Sequence, residues 1–344
     1  RVPHRLRHAA LMATIVTVLV ALLKDVFVSF LANFPGRLGN LFFAVTGLRI
    51  VPAVVVWAVA FGLTLAAPAV AARLDATPQS QRTTRLVLAA LGILLALALP
   101  LVTNVFVAQV LIMVALYVLM AAGLNIELGM AGLVDLGFVG FFAIGAYTVA
   151  LLGSTDIYGL ADLSFWITLP LAIVFSAIGG FLFGLPVLRV RGDYLAMATL
   201  GLGDIIRILV LSDALKPYLG ASQGIGQVTR PVIAGYSLNS PVSLYYLALV
   251  LVAIVIVISG HLQRSRFGRA WLALREDEDV AQALGVDPVA TKLFAYTIGA
   301  AFAGAAGAVF AVLLRGVYPH SFQLPLSTNL LAIPLAGGLE SLNA

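Results

Sequence analysis

Residues 293–314 read LFAYTIGAAFAGAAGAVFAVLL, a run without a single charge. Crossing about 30 Å of hydrocarbon takes roughly 20 apolar residues in a helix, so this run is long enough to span a bilayer. Within it Gly299, Ala303, Gly307 and Ala311 recur every fourth residue, with Ala300, Gly304 and Ala308 beside them. Positions four apart lie on one helix face, so these residues form a smooth stripe. In lipid no hydrophobic drive pushes helices together, and close approach along small residues takes its place. The stripe predicts a helix packed tightly against others, with Gly299, Ala303 and Gly307 at the contact. An alanine-rich composition alone is the blander explanation.

The rest of the chain extends this reading. Of its 344 residues 62% are hydrophobic and only 10% charged, and the mean hydropathy is +1.08. Soluble domains carry roughly 25% charged residues, so a water-soluble enzyme or a disordered chain is excluded. Further uncharged runs are Ile50–Ala72, Leu86–Val102, Thr103–Ile126, Leu136–Thr155, Leu163–Leu188, Pro231–Gly260 and Gly316–Leu339. Ala9–Leu23 is shorter but extends to Leu31, and Tyr194–Ser212 is apolar apart from Asp204 and Arg207. The expected fold is all-α, a polytopic integral membrane protein of about ten transmembrane helices. Arg1, Arg5 and Arg7 before Ala9–Leu23 also suit a signal peptide, but no small-x-small site follows, so a retained first helix is expected. The chain starts without Met and stops at Ala344 inside an apolar stretch, so trimming at both ends, with a truncated C-terminal helix, is expected.

Cationic residues mark the cytoplasmic side of membrane proteins. With the N-terminus inside and every candidate crossing once, the inside segments hold Arg1, Arg5, Arg7, Arg73, Arg82, Arg85, Arg189, Arg191, Arg264, Arg266, Arg269, Arg275 and Lys292. The other cations are Lys24, Arg37, Arg49, Arg207, Lys216, Arg230 and Arg315. This bias requires Tyr194–Ser212 to cross. A charge at mid-bilayer costs about 2.5–3.5 kcal/mol on insertion scales. Asp204 and Arg207, three residues apart, share a helix face and can pair. They are a gate or pathway element, or a structural ion pair.

Other chemistry is sparse. There is no cysteine, and the four histidines, His4, His8, His261 and His320, stand at no metal-binding spacing. The net charge of +5 reports topology before nucleic-acid binding. No catalytic constellation, cofactor site or metal site is expected. Asn125, Glu127, Asp135 and Thr199 are spaced among glycines. Glu127 and Asp135 bracket a glycine-rich bend at the inner boundary, where they line a translocation path or sit at the headgroup interface, the second being favoured.

The one long hydrophilic inside loop is His261–Lys292. Asp277 or Asp279 can cap a short helix whose first turn is acidic. Val280 to Leu284 give it an apolar face, Gly285 ends it, and Asp287-Pro288 starts another helix. Two short helices joined by a glycine turn are expected. Such a loop is a docking site for a soluble partner or merely a solvated connector.

At these residues the chain resembles a known family. Phe267-Gly268-Arg269-Ala270, Ala273 to Glu278, Ala281 and Ala283-Leu284-Gly285 resemble the coupling motif of ABC-importer permeases, in the version of the branched-chain amino acid permeases (LivM-like subunits). Gly123-Leu124-Asn125 with Gly129, Gly132-Leu133, Asp135-Leu136-Gly137 and Phe142 to Tyr147 resembles the family's glycine-rich signature. Arg189 to Tyr194, followed by Ala198 to Gly201 and Ile205-Ile206-Arg207, resembles its second signature. Gln223-Gly224-Ile225 before Arg230-Pro231 resembles its external loop. The likeness covers about 105–338, in order. Two departures are Gly220-Ala221-Ser222-Gln223 where Gly-Gly-Pro-Asn is usual, and Glu340 where glycine is usual.

The resemblance implies a permease core at 105–344 with its coupling loop at 261–292, preceded by an N-terminal extension of about three helices at 1–104. It implies that Arg269, Arg275, Glu276, Asp277, Glu278, Ala281, Leu284 and Gly285 contact an ATPase subunit. Partners implied are a second permease subunit in a heterodimer, two cytoplasmic ATPase subunits and an extracytoplasmic substrate-binding protein. The location implied is the bacterial inner membrane, with a cytoplasmic N-terminus. A Walker A loop needs Gly-Lys followed by Ser or Thr. Lys24, Lys216 and Lys292 follow Leu, Leu and Thr, so ATP hydrolysis must come from a separate chain. The implied substrate is a branched-chain amino acid, with urea, short amides and other small polar solutes as alternatives. A stand-alone ion-coupled transporter working through Asp204 or Asp135 is the rival class.

Overall fold

The computed structural model describes residues 12–14, 17–18, 43–44, 47–48, 53–55, 57–58, 61, 92–101, 105–188, 190, 193–233, 235–322, 327 and 330. Most of the expected spans Ala9–Leu31, Ile50–Ala72 and Gly316–Leu339, the cations of the first 90 residues, Arg189, Arg191 and Glu340 lie outside the described residues. The chain divides into two compact units, Arg1–Leu111 and Ile112–Ala344. In the first, β1 (Phe43–Ala44) pairs antiparallel with β2 (Gly47–Leu48). An apolar helix, Gly92–Leu101, exposes Ile93, Leu94 and Leu95.

Among the described residues five helices are long and apolar enough to cross a membrane. The first is α1 (Val105–Leu124), which continues through a π-helical turn at Asn125–Met130 and carries the boundary between the units. The second unit goes on with α2 (Val139–Leu152), α3 (Phe165–Val187), α4 (Asp193–Leu211), the single turn α5 (Lys216–Leu219), α6 (Pro241–Arg264), α7 (Arg266–Glu276), α8 (Glu278–Ala283) and α9 (Pro288–Leu314). The long ones are α1 with its π turn, α3, α4, α6 and α9, so the chain is a polytopic all-α membrane protein.

The helix read from residues 293–314 is the centre of its unit. In the most apolar stretch of α9 72% of residues are buried, against 28–44% in the other four long helices. It packs on α2 and α3 through positions where a methyl group has no room. A Cβ on Gly145 of α2 would stand 2.3 Å from the Gly304 carbonyl oxygen, and one on Gly307 2.1 Å from that of Phe142. Ala303 is fully buried. The outward faces of α3 and α6, with Phe175, Ile178, Phe181, Val250, Ile254 and Val257, stay exposed and apolar. Such surface is stable where the solvent is lipid.

Three expected elements differ. Leu136–Thr155 was expected to span as a whole, but α2 covers only Val139–Leu152, about 21 Å of helix. Residues 131–138 run as a turn whose backbone is held inside the protein. The Leu136 N–H donates to Thr199 Oγ1 at 3.0 Å and the Gly137 N–H to Asp135 Oδ1 at 2.7 Å. Non-helical backbone survives at such depth only with internal partners.

The expected span Pro231–Gly260 begins instead with a hairpin, β3 (Val232–Ile233) and β4 (Tyr236–Ser237), turned at Gly235. Ser240 accepts from the Ser243 N–H and Pro241 occupies the first turn, so α6 starts there and runs to Arg264. The expected span Gly316–Leu339 does not open as a helix. Arg315 is left-handed, Val317 bridges Ile225, and Pro319–Ser321 form a 3₁₀ turn.

The far end of the unit from α7 and α8 is closed by loops. Gly153 bridges Asp162 and Ser154 bridges Val228. Asp156 Oδ2 accepts from the Gly226 N–H at 2.7 Å, and Trp166 Nε1 donates to the Val232 carbonyl at 2.8 Å.

Candidate functional site

Between α6 and α9 the hydrophilic segment folds into α7 and α8; α8 and the start of α9 are the two expected helices, and α7 is a further one ahead of them. Ser265 caps α7 by accepting from the Phe267 and Gly268 N–H groups. Gly268, Trp271 and Leu274 then fall on one face and are buried. Trp271 is fully buried, donates Nε1 to the Thr291 carbonyl at 2.9 Å, and stacks on Phe294. Asp277 caps α8 by accepting from the Asp279 and Val280 N–H groups, both at 3.0 Å. Glu278 and Asp279 fill its first turn, where acids favour the helix dipole.

Gly285 closes the segment with φ +91°, a conformation open to glycine at no steric cost. Asp287 then caps α9. Lys292, largely buried in α9, reaches Glu278 Oε2 at 2.7 Å and fastens α8 to it. The outer surface of the pair carries Arg269, Glu276 and Asp277, all exposed, beside two exposed apolar groups, Val280 (55%) and Leu284 (79%). Ala281 faces inward and is buried.

Directly beneath lies the glycine-rich turn. In the π turn the Ala131 N–H donates to the Ile126 carbonyl and the Leu133 N–H to that of Glu127, which widens the helix end. Gly132, at φ +70°, reverses the chain, and a Cβ there would stand 3.0 Å from Arg275 Cγ. Arg275 of α7 lies over this turn and donates Nη1 to the Gly129 carbonyl. One side chain therefore joins the hydrophilic helices to the π turn.

Glu127 is wholly buried, Asp135 is 1% exposed and Asn125 5%. The protein encloses all three. Glu127 lies against α9 at Gly299, where a Cβ would come within 1.8 Å of its Oε1.

Asp204 and Arg207 do pair on α4, with Nε 3.6 Å from Oδ1, and both are partly exposed. They border a groove shared with Gly137, Gly140, Phe322 and Ser327. They are not brought together with the buried acids. Among the described residues no group of three or more His, Asp or Glu is placed to hold a metal ion. Trp271 and Tyr296 were not singled out in the sequence, and Lys292 was named there only as a cation without its partner Glu278. The signal for Trp271 was present, a Ser265 cap followed by Gly268, Trp271 and Leu274 at helical spacing.

Residues 106–344 match the family model for the branched-chain amino acid transport system permease component. The chain is 42% identical over 252 residues to the high-affinity branched-chain amino acid transport system permease protein LivM of Salmonella typhimurium, covering 67% of this chain and 58% of that one. To LivM of Escherichia coli it is 40% identical over 272 residues, covering 72% and 62%. A probable LivM permease of Methanocaldococcus jannaschii is 25% identical over 245 residues, covering 63% and 70%. The chain thus spans about three fifths of the length of the two bacterial relatives. No solved structure matches it. An apolar bundle around α9, with a capped hydrophilic helix pair at one end and a family match over most of its length, makes this chain a member of the branched-chain amino acid transport system permease component family.

Proposed function

We propose that this chain is a transmembrane permease subunit of an ATP-driven ABC importer for branched-chain amino acids. Residues 105–344 form the permease core and 1–104 an extension. The observation that carries the reading is the outer surface of α8, where Leu284 and Val280 stand exposed among Glu276, Asp277 and Asp279. Two large apolar groups on a water-facing, well-capped helix are costly unless a protein covers them. An ATPase subunit is the partner that a permease needs at that surface, because none of the three lysines follows a glycine.

In this reading 261–292 faces the cytoplasm, as does the N-terminus, and two ATPase subunits dock there in the bacterial inner membrane. A second permease subunit covers the exposed flank of α4, and an extracytoplasmic binding protein delivers substrate to the loop-closed end. Arg269, Arg275, Glu276, Asp277, Glu278, Ala281, Leu284 and Gly285 form or support the docking surface. Asn125, Glu127, Asp135, Asp204 and Arg207 belong to the moving path behind it. Gly299, Ala303 and Gly307 keep α9 close to its neighbours.

The test is uptake of labelled leucine into vesicles holding the chain with its ATPase and permease partners. Uptake that requires both ATP and the binding protein is expected. Uptake by this chain alone under a proton or sodium gradient would overturn the reading.

A further inference from the structure

One face of α6 changes character at its last turns. Val250, Ile254, Val257, His261 and Arg264 recur at steps of three and four residues, so they share one side of the helix, and all five are exposed. The first three present apolar surface of the kind that lipid tails cover. His261 and Arg264 follow within about two turns. A lipid-facing surface that passes from apolar to basic over so short a rise leaves hydrocarbon for headgroups at that level.

A pocket of about 270 Å³ opens there, lined by Val257, Gly260, His261, Arg264 and Ser265. That is room for about nine waters at their liquid volume, enough for a phosphodiester group. The cations around it are unopposed. Arg264, and Arg266 and Arg269 at the start of α7, are exposed, and none is in an ion pair among the described residues. No acid stands in the sequence between Asp213 and Glu276. Glu276 comes ten residues after Arg266, about 15 Å along α7.

The polar groups of the junction are arranged as donors. Arg269 Nη1 donates to the Arg264 carbonyl at 3.2 Å and ties α7 to the end of α6. His261 Nδ1 lies 2.8 Å from the Val257 carbonyl, which can only accept, so the ring donates there and keeps Nε2 as its other polar atom. Ser265 donates its hydroxyl to the Leu262 carbonyl and accepts from the Phe267 and Gly268 N–H groups. Arg266 lies over the Phe267 ring, 5.0 Å from its centre, and Phe267 packs on Phe294.

We infer that the junction of α6 and α7 binds the headgroup of an anionic phospholipid. Arg264 and Arg266 take the phosphate, whose oxygens match the paired N–H groups of a guanidinium. The acyl chains lie along Val250, Ile254 and Val257. The inference rests on α6 spanning the bilayer and is independent of what the protein transports. A soluble partner is the poorer occupant, because the apolar half of the same face requires hydrocarbon.

Native mass spectrometry of the purified full chain, in detergent with equal amounts of phosphatidylglycerol and phosphatidylcholine, reads the site. The wild type should retain phosphatidylglycerol over phosphatidylcholine by about tenfold or more. Arg264→Gln with Arg266→Gln should bring the two lipids near parity. Lys216→Gln, at an exposed cation outside this junction, should keep the preference. Inorganic phosphate should not displace the lipid, because the acyl contacts are part of the site. Parity in the wild type, a preference that survives the double variant, an equal loss in Lys216→Gln, or displacement by inorganic phosphate would overturn the proposal. Loss of the lipid when ATPase subunits bind would overturn it too, by assigning these cations to a protein partner. If the double variant fails to fold, the wild-type preference and the phosphate competition decide.

Discussion

Arg275 Nη1 donates to the carbonyl of Gly129, so a residue on the last turns of α7 holds the π turn that ends α1. The backbone of that turn has spare acceptors because its hydrogen bonds run to residues five and six further on. A movement of α7 and α8 thus reaches the π turn through one side chain. Arg275→Ala removes a charged hydrogen bond of about 1.5–3 kcal/mol. In the assembled importer we expect ATP hydrolysis to continue while leucine taken up per ATP falls about tenfold or more. An unchanged ratio would show that the contact transmits nothing.

Gly285 has open space around it and only its φ of +91° constrains it. A substitution there is therefore a backbone test, free of steric clash. Left-handed backbone costs an ordinary residue about 1–2 kcal/mol, more with a β-branch and less for asparagine. Gly285→Val should uncouple binding-protein-stimulated ATP hydrolysis, and Gly285→Asn should largely retain it. Glu276→Lys, on an exposed position with no fold cost, should lose stimulation through charge alone. Full stimulation in both Gly285→Val and Glu276→Lys would reject α8 and its flanks as the docking surface.

Much of this was legible because it is local. A cap needs a polar residue at one position and a chain reversal needs a glycine, so Asp277, Gly285 and Asp287 announced themselves. The long spans were legible from length and apolarity. What failed depends on partners distant in sequence. Leu136 to Phe138 are apolar enough to extend a helix, yet Thr199 and Asp135 hold their backbone in a turn. That Glu127 and Asp135 are buried depends on the fold, which lays Gly299 of α9 against Glu127. Pro231 to Ser240 were apolar enough to join α6, and the hairpin was written only in Gly235 and the Ser240-Pro241 cap.

The glycines of the bundle make a graded series. At Gly145 a methyl group meets the backbone of Gly304, which has no side chain to move aside. At Gly299 it meets the end of the Glu127 side chain, which is itself enclosed. At Gly201, inside α4, it meets nothing within 4 Å and gains up to about 1 kcal/mol of helix propensity. Thermal unfolding in detergent should therefore rank Gly145→Ala as most destabilised, Gly299→Ala next, and Gly201→Ala at or above the wild type. Equal stability of all three would contradict the close packing of α2 on α9.

Lys292 and Glu278 decide whether α8 is held as a rigid extension of α9. The ammonium group is largely buried and its partner about a quarter exposed, so Glu278→Ala leaves a buried cation without its carboxylate. Loss of one partner of a fully buried pair costs about 3–5 kcal/mol, and partial exposure reduces that here to about 1–3. Replacing both, in Lys292→Met with Glu278→Leu, removes the stranded charge and should recover most of the lost thermal stability. Stability and coupling separate at that point. If the ion pair only anchors α8, the double variant recovers ATPase stimulation together with its melting temperature. Recovery of the melting temperature alone would assign the pair a part in transmission that apolar packing does not replace.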